Sequence, residues 1–251
     1  MVRLNIDKAL LKGFLTGFGP GVGDLRAEAK AGRLEGIVAL PTHLLRTQMP
    51  ADVEDAGEVV FSDIPKVLSF LKALPKSANI INIWQPKGRP LKMSCGMTSV
   101  EMPASDYIRS YVNVPRALLL VDEAENGLWK SWAGQPLTSH MLLKTQWLGE
   151  VSDMQKVVGK DMTYSTIFDP QQAQFSVSAG RAGGVKMKVG NELETFDGPE
   201  ASSVFGPWFP TLMQCIPTGV VDVFTADDYI LVLRHVEKEH LLIILDQQGG
   251  N

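Results

Sequence analysis

An α+β fold in two similar domains, with helices lining one face of antiparallel sheets, is predicted by three features of this sequence. Short apolar-periodic helices bounded by Gly and Pro are embedded among many strand-length stretches. A helix-then-strand stretch recurs at an offset of 142 residues, which lays Pro65 on Pro207 and Pro75 on Pro217. The composition, 45% hydrophobic and 21% charged over 251 residues, supplies a substantial core and excludes wholesale disorder.

The elements follow in order. From Ile6 to Phe18, Leu10, Leu11, Phe14, Leu15 and Phe18 stand at helical spacing, with Asp7 as cap and Gly19-Pro20-Gly21 as the stop. Strands are expected at Asp24–Ala31, Leu34–Leu40, Leu44–Met49 and Val59–Phe61. A helix over Ile64–Leu74 is opened by Ser62-Asp63 and Pro65 and closed by Pro75. Strands at Ile80–Trp84, Leu91–Cys95 and Thr98–Met102 come next. The later half has the same order: a helix over Trp147–Val158, strands at Met162–Phe168, Ala173–Ala179 and Val185–Val189, a short helix at Trp208–Ile216, and strands at Val220–Thr225, Ile230–Arg234 and Leu241–Leu245. Between the halves, Asp106–Pro136 holds one apolar run, Ala117–Val121, and an acidic turn.

The 142-residue offset also matches Phe70, Leu71 and Leu74 with Leu212, Met213 and Ile216, and each copy continues into an alternating strand, Ile81–Trp84 against Val221–Phe224. The recurring unit is strand, helix and three strands, four times over, two units per half. Domain limits at 1–105 and 137–251, with 106–136 as edge strand and connector, follow.

Several function classes are excluded. No apolar run approaches the roughly 18 residues of a membrane span, and the start lacks a signal peptide's apolar core, so a cytoplasmic protein is expected. Cys95 and Cys215 are too few and too far apart for a disulfide framework or a zinc site. His43, His140, His235 and His240 show no metal spacing, and no metal or cofactor is expected. The glycine-rich run Gly17–Gly23 follows a helix and lacks the Lys-Ser/Thr ending of a phosphate loop, so a turn is expected. No nucleophile elbow is present, and the paired acids lie in turn-like segments, so the chain does not read as an enzyme. A formal charge of −4 means that contact with nucleic acid would require basic residues sorted onto one surface.

Several stretches, taken in order, resemble the DNA sliding clamps, the family of proliferating cell nuclear antigen and the T4-type phage clamps. Thr42-His43-Leu44-Leu45 resembles that family's Ser-His-Val-x-Leu segment. Ile64–Met102, followed by Ser105-Asp106-Tyr107, is similar to the helix and three strands that close its first domain. Phe175-Ser176-Val177-Ser178-Ala179-Gly180 resembles a Phe-Ser-Ala-Ser-Gly stretch of its second domain, and His240–Leu245 resembles its terminal strand. Ile243 and Ile244 stand where cellular clamps favour tyrosines, Asp246-Gln247-Gln248 replaces an Ala-Pro, and the fourth helix has Pro210 and no basic residue. These departures point to a divergent, virus-type member.

The resemblance implies a DNA polymerase processivity factor: a homotrimeric ring, two domains per copy, that encircles double-stranded DNA without reading its sequence and binds a polymerase and a clamp loader. It implies DNA contact through helix lysines, for which the candidates are Lys8, Lys12, Lys66, Lys72, Lys76, Lys144, Lys156 and Lys160. It implies edge-strand pairing between copies, placed at Ile108–Val114 (Ile108, Tyr111, Val112, Val114) and at Val185, Met187 and Val189. A pocket for a partner's apolar peptide is implied at His43, Leu45, Leu118, Leu119, Leu120 and Ile244. Two alternatives stay open on the residues: a β-rich viral structural or assembly protein, and a monomeric processivity factor of clamp fold.

Overall fold

The computed structural model describes all residues except 20, 106, 120, 124–128, 181–183, 239 and 246–251. The chain divides into two compact units, Met1–Ala39 with Leu45–Pro115, and Leu40–Leu44 with Arg116–Asn251.

The first unit opens with β1 (Val2–Asp7) and α1 (Lys8–Gly17). The hexapeptide alternates, with Val2, Leu4 and Ile6 buried, so Ile6 belongs to this strand and not to the helix assigned to it from its sequence spacing. The switch of period falls at Asp7, whose carboxylate accepts the amides of Ala9 and Leu10 and so caps the helix. Next come β2 (Leu25–Lys30), β3 (Arg33–Leu40), β4 (His43–Pro50), β5 (Asp52–Asp55) and β6 (Gly57–Phe61). The unit continues with α2 (Ile64–Ala73), β7 (Ile80–Gln85), β8 (Leu91–Cys95) and β9 (Thr98–Met102). Two antiparallel sheets result, ordered β5-β1-β7-β8-β9 and β4-β3-β2-β6. Helix α1 buries Leu11, Phe14 and Leu15, and Phe14 meets Phe18 edge to face at 5.1 Å. That packing depends on Gly36 in β3, where an added Cβ would lie 2.5 Å from the Phe18 ring and 2.8 Å from the Phe14 ring.

Helix α3 (Val114–Leu118) follows, and then three short strands, β10 (Val121–Glu123), β11 (Trp129–Trp132) and β12 (Gln135–Pro136), in a small antiparallel sheet. The second unit then runs β13 (Ser139–Lys144), α4 (Gln146–Val158), β14 (Tyr164–Asp169), β15 (Gln174–Gly180), β16 (Lys186–Glu192), β17 (Phe196–Asp197), β18 (Ala201–Phe205), α5 (Phe209–Met213), β19 (Val220–Thr225), β20 (Leu231–His235) and β21 (His240–Ile244). Its sheets are ordered β17-β13-β19-β20-β21 and β16-β15-β14-β18. Trp147 of α4 meets Phe175 edge to face at 5.6 Å, and Phe209 of α5 stacks on Phe205 and Tyr164.

The sheet orders of the two units are the same, strand for strand: β1 corresponds to β13, β2 to β14, β4 to β16, β7 to β19 and β9 to β21. Four strand–helix–three-strand units are present, with β5 and β17 as short additions. The repeat has no single offset. Equivalent residues are 137 apart at Asp7 and Lys144, 144 apart at Phe61 and Phe205, and 140 apart at Gln85 and Thr225. The structural partner of Pro65 is therefore Pro210, since each is the proline in the first turn of its helix, and not Pro207. The fourth helix is also shorter than its sequence suggests: α5 has five residues and relaxes into i to i+3 bonds at Gln214, Cys215 and Ile216.

Candidate nucleic-acid interface and partner surfaces

Helices α1 and α2 pack on one another in the first unit, and each leaves one stripe exposed. The stripe of α1 comprises Ala9, Leu10, Lys12, Gly13 and Thr16, and that of α2 comprises Pro65, Lys66, Ser69, Lys72 and Ala73. The lysines differ in what they are free to do. Lys8 is half-buried and donates to the carbonyls of Leu74 and Pro75 at 3.3 and 3.0 Å, so it closes the end of α2. Lys66 reaches Asp63 at 2.9 Å, and this hydrogen bond, with the backbone bond from the same residue, holds the Asp63 carboxyl below the usual carboxylate range. Lys12, Lys72 and Lys76 are exposed and have no ion pair among the described residues.

Helix α4 differs. Lys156 is 2.6 Å from Asp153, Glu150 is exposed on the same helix, and Lys144 is 3.4 Å from Glu194. Lys160 is exposed beside Asp161, and α5 carries no charge. Over 7–18 and 63–76 there are five lysines and two acids, whereas 144–161 and 208–216 hold three lysines and three acids. The basic helix layer is thus a property of the first unit.

The segment Ile108–Val114 is not an edge strand. It forms a 3-10 turn at Arg109–Tyr111 and enters α3 at Val114, because the Asp24 carboxylate accepts the amides of both Arg109 and Ser110 while the Ser110 hydroxyl donates to the Asp24 carbonyl. Ile108 and Val114 are buried, and Tyr111 lies under the Arg26 guanidinium at 4.5 Å. The last strand of that unit's larger sheet is β9, a role the sequence reading did not give it. Strand β16, by contrast, ends its sheet, with Val185 exposed just before it, Met187 half-buried and Val189 buried.

Of the residues assigned to a peptide pocket, His43, Leu45 and Ile244 are buried, Leu118 and Leu119 are 43% and 84% exposed, and Leu120 lies outside the described residues. Burial pushes the His43 imidazole down to about 4, and Nδ1 sits 3.0 Å from the Thr42 hydroxyl. Cys215 is buried with its thiol pushed up to about 12, and Cys95 is half-buried. Among the described residues no group of three His, Cys, Asp or Glu side chains could hold a metal ion, and no helix is long and apolar enough to cross a membrane.

No protein-family model matches the sequence, and no curated protein matches it. Solved structures do match in fold. The chain is similar to A. fulgidus PCNA, solved with the C-terminal region of FEN-1 bound, at 13% identity and a TM-score of 0.68 over 98% of both chains. It is similar to PCNA from Thermococcus kodakaraensis at 13% identity and a TM-score of 0.70, over 98% of this chain and all of that one. It is also similar to the DNA polymerase III beta chain of Streptococcus pneumoniae at 10% identity and a TM-score of 0.75, covering 98% of this chain but 64% of that longer one. The chain has the sliding-clamp fold.

Proposed function

We propose that the protein is a polymerase processivity factor, a clamp that closes as a homotrimeric ring around duplex DNA, tethers a DNA polymerase and is placed by a clamp loader. The observation that carries the proposal is the fold likeness to PCNA over 98% of both chain lengths, because two repeated units per chain are what a three-copy, six-unit ring requires. The basic layer of α1 and α2, within a chain of net −4, supplies nonspecific phosphate contact compatible with sliding.

Copies would join head to tail through β9 and β16. Strands β9 and β16 each end a sheet of their own unit, so each offers an edge that a second copy could extend. This replaces Ile108, Tyr111, Val112 and Val114 as the first-unit side of the interface and keeps Val185, Met187 and Val189 on the other. On this reading domain 1 ends near residue 105, 106–136 connects, and 137–251 is domain 2. Leu118 and Leu119 are the exposed apolar residues of the connector that a polymerase peptide would meet, whereas His43, Leu45 and Ile244 are buried.

The test is retention on DNA. Protein loaded on a nicked circle should stay bound through a high-salt wash and be lost when the circle is linearised, and its mass in solution or on DNA should be that of three copies. A protein that stays monomeric on DNA and is washed from circles and linear duplex alike would overturn the ring.

A further inference from the structure

The first unit contains a cleft of about 700 Å³ that the DNA-facing helices do not contribute to. Its apolar lining includes Val2, Val60 and Ile108, which are buried, with Tyr107, 69% exposed, and Val112, 54% exposed. The β7–β8 turn adds Lys87 and Arg89, both exposed and without an ion pair among the described residues. Arg26, also of the lining, is already held by Glu58 and the Tyr111 ring.

The internal repeat supplies a counterpart of this turn for comparison. Gln85 corresponds to Thr225, so Gly88 corresponds to Asp228 and Arg89 to Tyr229. The backbone agrees, since Gly88 and Asp228 both have positive φ, 66° and 47°. In the second unit the Tyr229 hydroxyl donates to the carbonyl of Trp132 in β11, and Trp132 is buried. That turn is therefore tied to the backbone of an extended segment, β11. Around the first unit's counterpart turn the structure has an open cleft, and Asp227 and Tyr229 are replaced there by Lys87 and Arg89.

We propose that this cleft docks an extended segment of a protein partner, in which an aromatic side chain seats against Val60 and Ile108 and flanking Asp or Glu residues meet Lys87 and Arg89. The cation pair selects against basic peptides as well as for acidic ones. Tyr and Arg beside an apolar lining are the residue types that anchor such contacts. The docking surface lies within one unit, and it stands whether or not the chain closes around DNA.

The experiment titrates the full chain against a fluorescent acidic peptide of about eight residues with a central Trp, and against its counterpart with Lys in place of each acid. Saturable binding of the acidic peptide only is expected, weakened about tenfold or more by Lys87→Glu with Arg89→Glu and unchanged by Leu119→Asp. Thermal melting of the double variant checks its fold, and Lys87→Ala with Arg89→Ala replaces it if the reversal destabilises the protein. Absence of saturable binding, equal binding of both peptides, or undiminished binding by a folded variant would overturn the proposal. None of these outcomes bears on retention on circular DNA, which tests the ring separately.

Discussion

Gly36 has no Cβ because two aromatic rings occupy the space where one would stand. The neighbours are rigid ring ends of Phe14 and Phe18, which cannot swing aside as a lysine tip would, so relief must come from moving α1 off β3. Gly36→Ala is expected to lower stability by about 1–3 kcal/mol, read as a reduced urea midpoint with an unchanged slope. The buried histidines supply a second residue-scale expectation. His43 and His240 are both pushed down to about 4, His43 by burial alone and His240 by burial first and then by the charges of His235 and Lys238. Each has a ring nitrogen, Nε2, that is buried without a partner among the described residues. The unfolded chain protonates near 6.5 and the folded chain near 4, so stability is full above 6.5 and is lost as pH falls through that window. At most roughly 3 kcal/mol is at stake for each. Melting temperature should therefore fall between pH 6.5 and 4.5, before the carboxylates titrate, and His43→Leu with His240→Leu should flatten that slope; an unchanged slope would show that the two rings are not what titrates.

At the scale of elements, the two helix layers make opposite predictions. Lys66→Ala with Lys72→Ala removes from the basic α1–α2 layer one cation that also pairs with Asp63 and one without an ion pair among the described residues, whereas Lys156→Ala frees Asp153 on a helix whose region is already neutral. The α2 pair should lower the slope of log affinity for duplex DNA against log salt by about 1–2 and shorten polymerase-dependent extension, with little change in melting. Lys156→Ala should change the slope by less than half as much, and equal losses from both helices would show that the basic layer is not confined to the first unit. The lysines themselves were legible in the sequence, but their commitments were not. Nothing near Lys8 indicates that its ammonium closes a helix 66 residues away. Long-range partners also explain the misread strand. Ile108, Ser110, Val112 and Val114 alternate as an edge strand does, and only Asp24, through its bonds to Arg109 and Ser110, winds that segment into a turn. Strands bounded by Gly or Pro turns, such as Leu91–Cys95 and Thr98–Met102, were legible to the residue because their own alternation and punctuation decide them. β1 was missed because Ile6 fits both the period of the strand before Asp7 and that of the helix after it.

At the scale of the whole molecule, the β9–β16 pairing proposed between copies sets a charge chemistry that can be tested. Outward residues on β9 are Ser99 and Glu101, with Glu101 3.2 Å from Lys92 of the neighbouring strand. On β16 the core-side residues are Met187 and Val189, which pair with Ala179 and Val177, so Lys186 and Lys188 lie on the outward face. A β9–β16 pairing between copies would carry both outward faces into one continuous sheet and bring Glu101 toward Lys186 and Lys188. Cross-strand charge pairs of this kind contribute roughly 0.2–1 kcal/mol each, and like charges cost a similar amount. Lys186→Glu with Lys188→Glu should therefore shift assembly to higher protein concentration by several-fold per interface, and Glu101→Lys alone should do the same. The triple variant, with the charges exchanged, should recover most of the loss, because every β9–β16 contact of the proposed assembly would contain the same exchanged pair. Sedimentation of the four proteins across a concentration series checks this. Additive weakening without recovery would place the contact between copies on a different pair of edges.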